Sequence, residues 1–173
     1  MDDLRFRIAP ATLSQGDFMA RFGGIYEHSP WIPEALLRDG LGPQDDGLNH
    51  FAARMTAIVD AAGRDKQLAL LRAHPELAGK LAIAGALTSE STTEQAGAGL
   101  DACSPAEFAR FQDFNDRYGA AFGHPFIIAV RGLTRADILA AFEVRLGNDG
   151  DAEFATALAE VHKIARLRLA DLC

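Results

Sequence analysis

Apolar residues recur at three- and four-residue steps along almost the whole chain, and that spacing confines it to helices. The clearest stretch opens at Ser104-Pro105-Ala106-Glu107: a serine cap, a proline tolerated in a first turn, and a glutamate placed to close a capping box. Phe108, Phe111, Phe114, Tyr118 and Phe122 follow on one stripe, the pattern of a helix face packed into a core rather than of a ligand box. Ser14 is placed to cap an earlier helix carrying Phe18, Met19 and Phe22, stopped by Gly23-Gly24. Ser29-Pro30-Trp31-Ile32-Pro33 opens a second.

Further helices are predicted over about 48–62 (Phe51, Met55, Ile58 and Val59 inward) and 65–73, the latter ending at His74-Pro75. Thr134-Arg135-Ala136-Asp137 caps another, with Ile138, Leu139, Phe142 and Leu146 inward. The last begins near Asp151 and carries Phe154, Leu158, Val161 and Ile164. Two segments break the pattern. Residues 85–104 hold almost no large apolar side chains; they read as a surface loop or the lining of a site, with a short helix over 92–97. Residues 126–130 are an apolar run between Pro125 and Gly132 with no evident partner strand. They read as a buried, extended connector whose backbone groups must find partners, a ligand among the options. The expected architecture is all-α: a single-domain bundle of about seven to nine helices over residues 1–173, with one short extended connector.

Composition removes whole function classes. A chain of 173 residues with 49% hydrophobic and 24% charged residues is an ordinary globular domain. Its net charge of −7 repels phosphate backbones and anionic membranes, so neither nucleic acid nor a membrane surface is an expected partner. No apolar run approaches the ~20 residues of a membrane span. Cys103 and Cys173 form no paired motif, which argues against a disulfide scaffold and for a reducing compartment; neither has an evident chemical role. His28, His50, His124 and His162 show no metal-ligand spacing, so no metal site is expected.

Three stretches carry the chemistry. His74-Pro75-Glu76-Leu77-Ala78-Gly79-Lys80 offers an imidazole where a helix must end, because the residue before a proline is pushed out of helical geometry. Histidine is the side chain best able to exchange a proton near neutral pH. Ser91-Thr92-Thr93-Glu94-Gln95 supplies hydroxyls, a carboxylate and a carboxamide. Ser91 also fits an N-cap in a Ser-x-x-Glu box, and the N–H groups of such a helix start favour an anion. Phe126-Ile127-Ile128-Ala129-Val130-Arg131 ends an apolar run on a guanidinium able to fork around a carboxylate. Lys80 and Arg72 read as solvated helix residues. Together the three stretches suit a small, anionic, nitrogen-rich molecule.

These stretches resemble the 2-oxo-4-hydroxy-4-carboxy-5-ureidoimidazoline (OHCU) decarboxylase family of urate degradation. So do Ala98-Gly99-Leu100 and Glu27-His28-Ser29-Pro30-Trp31, and the resemblance runs from about Leu13 to the last helix. It implies an all-α fold and a cofactor-free decarboxylation yielding (S)-allantoin and carbon dioxide. It implies catalytic roles for His74, as acid/base, and Glu94. Pro75, Ser91, Thr92, Thr93, Gln95, Phe126, Ile127, Ile128, Ala129, Val130 and Arg131 would line the substrate. The family often has Asp where this chain has Glu76, which keeps the charge and changes its reach. A homodimer is implied, and an ending in Ala170-Asp171-Leu172-Cys173 rather than a peroxisomal address favours the cytoplasm. Two other readings stand beside it: a decarboxylase or hydrolase acting on a related ureido or purine-derived compound, and a non-catalytic helical binding module.

Overall fold

The computed structural model describes residues 4–79 and 85–173. Lys80 of the histidine motif lies outside them. Among the described residues there are eight α-helices and no strand: α1 (Gln15–Phe22), α2 (Trp31–Arg38), α3 (Leu48–Ala61), α4 (Arg64–Ala73), α5 (Ser89–Gly97), α6 (Pro105–Phe122), α7 (Arg135–Arg145) and α8 (Gly150–Ala170). The fold is all-α, as the periodicity requires. Local chemistry sets the boundaries. Ser14 accepts from the Asp17 amide at the start of α1. Ser104 and Glu107 form a reciprocal capping box on α6, and Thr134 and Asp137 form another on α7. No described helix is long and apolar enough to cross a membrane.

The chain divides into two compact units, one of Met1–Ala73 with His162–Cys173 and one of His74–Val161, so α8 contributes residues to both. In the first unit α2 packs on α3, and Phe6, Phe18, Phe22 and Phe51 form a ring cluster, Phe6 edge-on to Phe22 and Phe51 at 5.4 and 5.0 Å. Edge-to-face contacts at such separations suit the quadrupoles of the rings. Glu27, almost fully buried, pairs with Arg168 at 3.0 Å.

The same unit holds a polar chain. Burial keeps Tyr26 protonated, and its hydroxyl is hydrogen-bonded to Nδ1 of His162 at 2.9 Å. Asp60 Oδ1 lies 3.4 Å from Nε2, close enough to attract a charged ring but not aligned as a hydrogen bond. Burial pushes the His162 imidazole below its ordinary 6.5, against the opposing pull of Asp60. The neutral ring is therefore the form the fold holds. Its contribution to stability is complete above the unfolded value and is lost as pH falls through the depressed folded one. The thermal midpoint of the wild type is expected to drop more steeply from about pH 7 to about pH 5 than that of His162→Gln. Parallel curves in calorimetry would remove His162 from the acid response.

The second unit is organised around aromatic rings. Phe142 stacks on Phe126 at 3.7 Å and on Phe114 at 5.3 Å, and Tyr118 stands edge-on to Phe126 at 5.2 Å. Phe111, Phe114 and Tyr118 are buried as the α6 stripe predicts, with Phe122 packed against them. Phe108 departs from that stripe: it is half-buried and forms part of a cavity wall.

Candidate active site

His74 follows directly on the last residue of α4, where Pro75 forbids another helical turn. It is buried, with 8% of its surface exposed. The chain then makes a tight turn through Leu77, Ala78 and Gly79, all buried. Ala78 adopts φ 49°, a left-handed conformation that disfavours a β-carbon. At Gly79 a β-carbon would stand 2.7 Å from Cβ of Glu76, so only glycine fits the close return.

Helix α5 begins three residues before the expected 92–97 segment, and this corrects the role of Ser91. Thr88 is the cap: its hydroxyl accepts from the Ser91 amide at 3.2 Å. Ser91 therefore sits inside the first turn rather than capping it. One turn later comes Gln95, and these two are the buried residues of the helix. Glu94 beside them is half-buried. Thr92 and Thr93 are exposed, and their hydroxyls donate back to the carbonyls of Thr88 and Ser89 at 2.8 and 2.9 Å. Gln95 reaches the histidine turn. Its Oε1 accepts from the Ala78 amide at 3.0 Å and its Nε2 donates to the Glu76 carbonyl at 3.3 Å. The carboxamide expected to line the substrate thus spends one bond from each end on the protein, keeping one N–H and one lone pair.

Residues 126–130 lie between α6 and α7 without helix or strand. Phe126, Ile127, Ala129 and Val130 are buried and Ile128 half-buried. Their backbone is held by side chains. Arg145 Nη1 donates to the Ile127 carbonyl at 2.6 Å, and the Ala129 amide donates to Glu160 Oε2 at 2.7 Å. Arg145 also lies over the Phe126 ring at 4.4 Å and forks onto Glu153 Oε1 at 2.8 and 2.5 Å. Glu153 is fully buried and accepts from Asn148 at 2.8 Å and from the Tyr118 hydroxyl. Burial, then this bond to a carboxylate, keeps Tyr118 protonated and donating. Arg131 is exposed at the start of a turn closed from Leu133 to Val130, with Gly132 at φ 82°.

Leu77 and Ala78 pack into the same apolar core as Phe126 and Val130, so one core positions both the histidine turn and the connector. A cavity of about 460 Å³ opens beside Gln95 and Ala78, bounded also by Thr92, Leu100, Cys103 and Phe108. That volume suits a small molecule. Burial pushes the Cys103 thiol up, away from a reactive thiolate. Of the expected set, Thr92 and Gln95 face this cavity; His74, Glu94 and the connector are not among its described walls. Among the described residues no cluster of three or more His, Cys, Asp or Glu side chains is arranged to hold a metal ion.

The sequence profile of OHCU decarboxylase matches residues 11–170, a span that crosses both compact units. The chain belongs to the OHCU decarboxylase family. It is 41% identical over 159 residues to the 2-oxo-4-hydroxy-4-carboxy-5-ureidoimidazoline decarboxylase of Haloferax volcanii, covering 92% of this chain and 90% of that protein. The enzyme of the same name from Mus musculus is 39% identical over 91% of this chain and 86% of its own length. A crystal structure of (S)-allantoin synthase superposes with a TM-score of 0.73 at 33% identity, over 94% of this chain. This chain covers 52% of that one, so it spans about half its length.

Set beside this family membership, the residues missed in the sequence are Arg145, Glu153, Glu160, Gln112 and Asn115. Each had a signal. Arg145 continues the Ile138–Phe142 stripe and Asn115 follows Phe111 by one turn, so each is a polar residue on an apolar face. A buried polar group of this kind needs a built-in partner.

Proposed function

We propose that His74 is the proton-transfer group in decarboxylation of 2-oxo-4-hydroxy-4-carboxy-5-ureidoimidazoline to (S)-allantoin and carbon dioxide. The observation that carries the reading is the buried His74-Pro75 step, in an OHCU decarboxylase family chain, leading into a left-handed turn that Gln95 holds from α5. Breaking the carbon–carboxylate bond leaves an electron pair, which the conjugated C=N of the substrate ring accepts. The reaction itself then asks for no cofactor sink. What the protein supplies is orientation, stabilisation of developing charge, and delivery of a proton to one face. His74 exchanges that proton with the substrate hydroxyl or ring carbon. Glu94, with Ser91 and the remaining capacity of Gln95, engages the ureido and ring groups, with Pro75, Thr92 and Thr93 beside them. Residues 126–130 present backbone donors and acceptors on a segment fixed by Arg145 and Glu160, and Arg131 meets an anionic oxygen. The enzyme so read acts without a cofactor, as a cytoplasmic homodimer in which residues 1–173 of each copy form one domain.

The test is coupled. Substrate is generated in situ from urate with urate oxidase and hydroxyisourate hydrolase, the protein is added, and circular dichroism follows product. Rapid appearance of optically active (S)-allantoin, unchanged by a chelator, is the expected result. Racemic product at the protein-free rate would sink the reading.

A further inference from the structure

Three carboxamides close on three consecutive backbone residues after the His74-Pro75 step. From α5, Gln95 takes the Ala78 amide and the Glu76 carbonyl. From α6, Gln112 Nε2 donates to the Ala78 carbonyl at 3.0 Å and Asn115 Nδ2 donates to the Leu77 carbonyl at 3.0 Å. Gln112 and Asn115 are three residues apart and so share a helix face. Asn115 is 4% exposed beside Phe111, Phe114 and Tyr118, where an aliphatic side chain would pack without needing any partner. A left-handed Ala78 is not the conformation the local sequence prefers. It persists where the surroundings over-determine it, and such residues cluster at functional sites.

We propose that Gln112 and Asn115 are positioning residues for His74, acting through the backbone of Leu77 and Ala78 without touching substrate. This rests on the reading of His74 as the proton-transfer group. Pro75 fixes one backbone torsion between the clamped carbonyls and His74, and Gln95 holds the Glu76 carbonyl on the same path, so a shift at Leu77 or Ala78 is passed toward the ring. Carboxamides suit the task because they grip without titrating, leaving proton traffic to the histidine. Gln112, only half-buried, tolerates truncation better than Asn115.

The experiment compares Gln112→Ala, Asn115→Ala and Gln112→Ala combined with Ala78→Gly, each measured well below its own melting temperature. Gln112→Ala is expected to lower kcat about tenfold or more while KM moves less than about threefold, the mark of a misplaced catalytic group rather than lost binding. Glycine adopts the left-handed conformation freely, so adding Ala78→Gly restores most of that kcat. A purely structural clamp would lower the melting temperature of the variants and leave kcat per folded molecule at the wild-type value. That outcome overturns the proposal, as does failure of Ala78→Gly to restore turnover. Should Asn115→Ala not fold, the Gln112 pair decides alone. A folded but inactive wild type overturns the functional reading and the clamp together. Active wild type, inactive His74→Ala and fully active clamp variants overturn the clamp only.

Discussion

Replacing His74 with alanine is expected to leave a folded chain whose turnover is about 10²–10⁴-fold lower, the range a positioned acid–base group contributes. The His74→Asn variant should behave alike, because an amide keeps hydrogen-bonding capacity but cannot exchange a proton near neutrality. Native-like circular dichroism and a nearly unchanged unfolding transition would separate lost chemistry from lost structure. Residual (S)-allantoin formation near the wild-type rate in a folded variant would move the proton transfer to another group, with half-buried Glu94 the first to test.

Arg145→Met should cost more stability than any surface change, on the order of 3–5 kcal/mol, because it strands the carboxylate of Glu153 in the interior with its main counter-charge gone. Asn148 and Tyr118 still donate to that carboxylate, but neither carries a charge. Urea titration is the direct measure, read as a shift in midpoint at constant slope. Combining it with Glu153→Gln should return part of the loss, since no unpaired ion is then buried. A single variant within about 1 kcal/mol of wild type would mean that water reaches the site. The variant also removes the donor to the Ile127 carbonyl, so activity below the melting transition reports whether the connector keeps its shape.

The fold was legible because helix starts and stripes are local. Ser104 with Glu107 and Thr134 with Asp137 act within one turn, and the Phe111–Tyr118 stripe needs nothing beyond its own helix. The start of α5 is not legible locally, because Ser91 and Thr88 are chemically interchangeable caps; the helix that starts at the earlier one sets Gln95 on the Ala78 amide. His74 stood out through its proline. Arg145, Gln112 and Asn115 did not, since their partners lie 18, 34 and 38 residues away along the chain and periodicity carries no information about such pairings. For the same reason sequence adjacency points to Arg131 as the cation of the connector, while a guanidinium bonded to the connector's backbone, Arg145, belongs to α7.

The first compact unit is discontinuous in sequence, and this gives biosynthesis an order. Glu27 waits for Arg168, 141 residues later, and Tyr26 waits for His162, 136 residues later. Residues 74–161 are complete before the ribosome adds the segment that finishes the other unit. A nascent chain therefore carries Glu27 without its counter-charge until Arg168 has been added. The second unit can begin to fold during synthesis, while the first must hold open a long loop and close it last. A chain cut before His162 would hold the second unit complete in sequence and lack the last segment of the first.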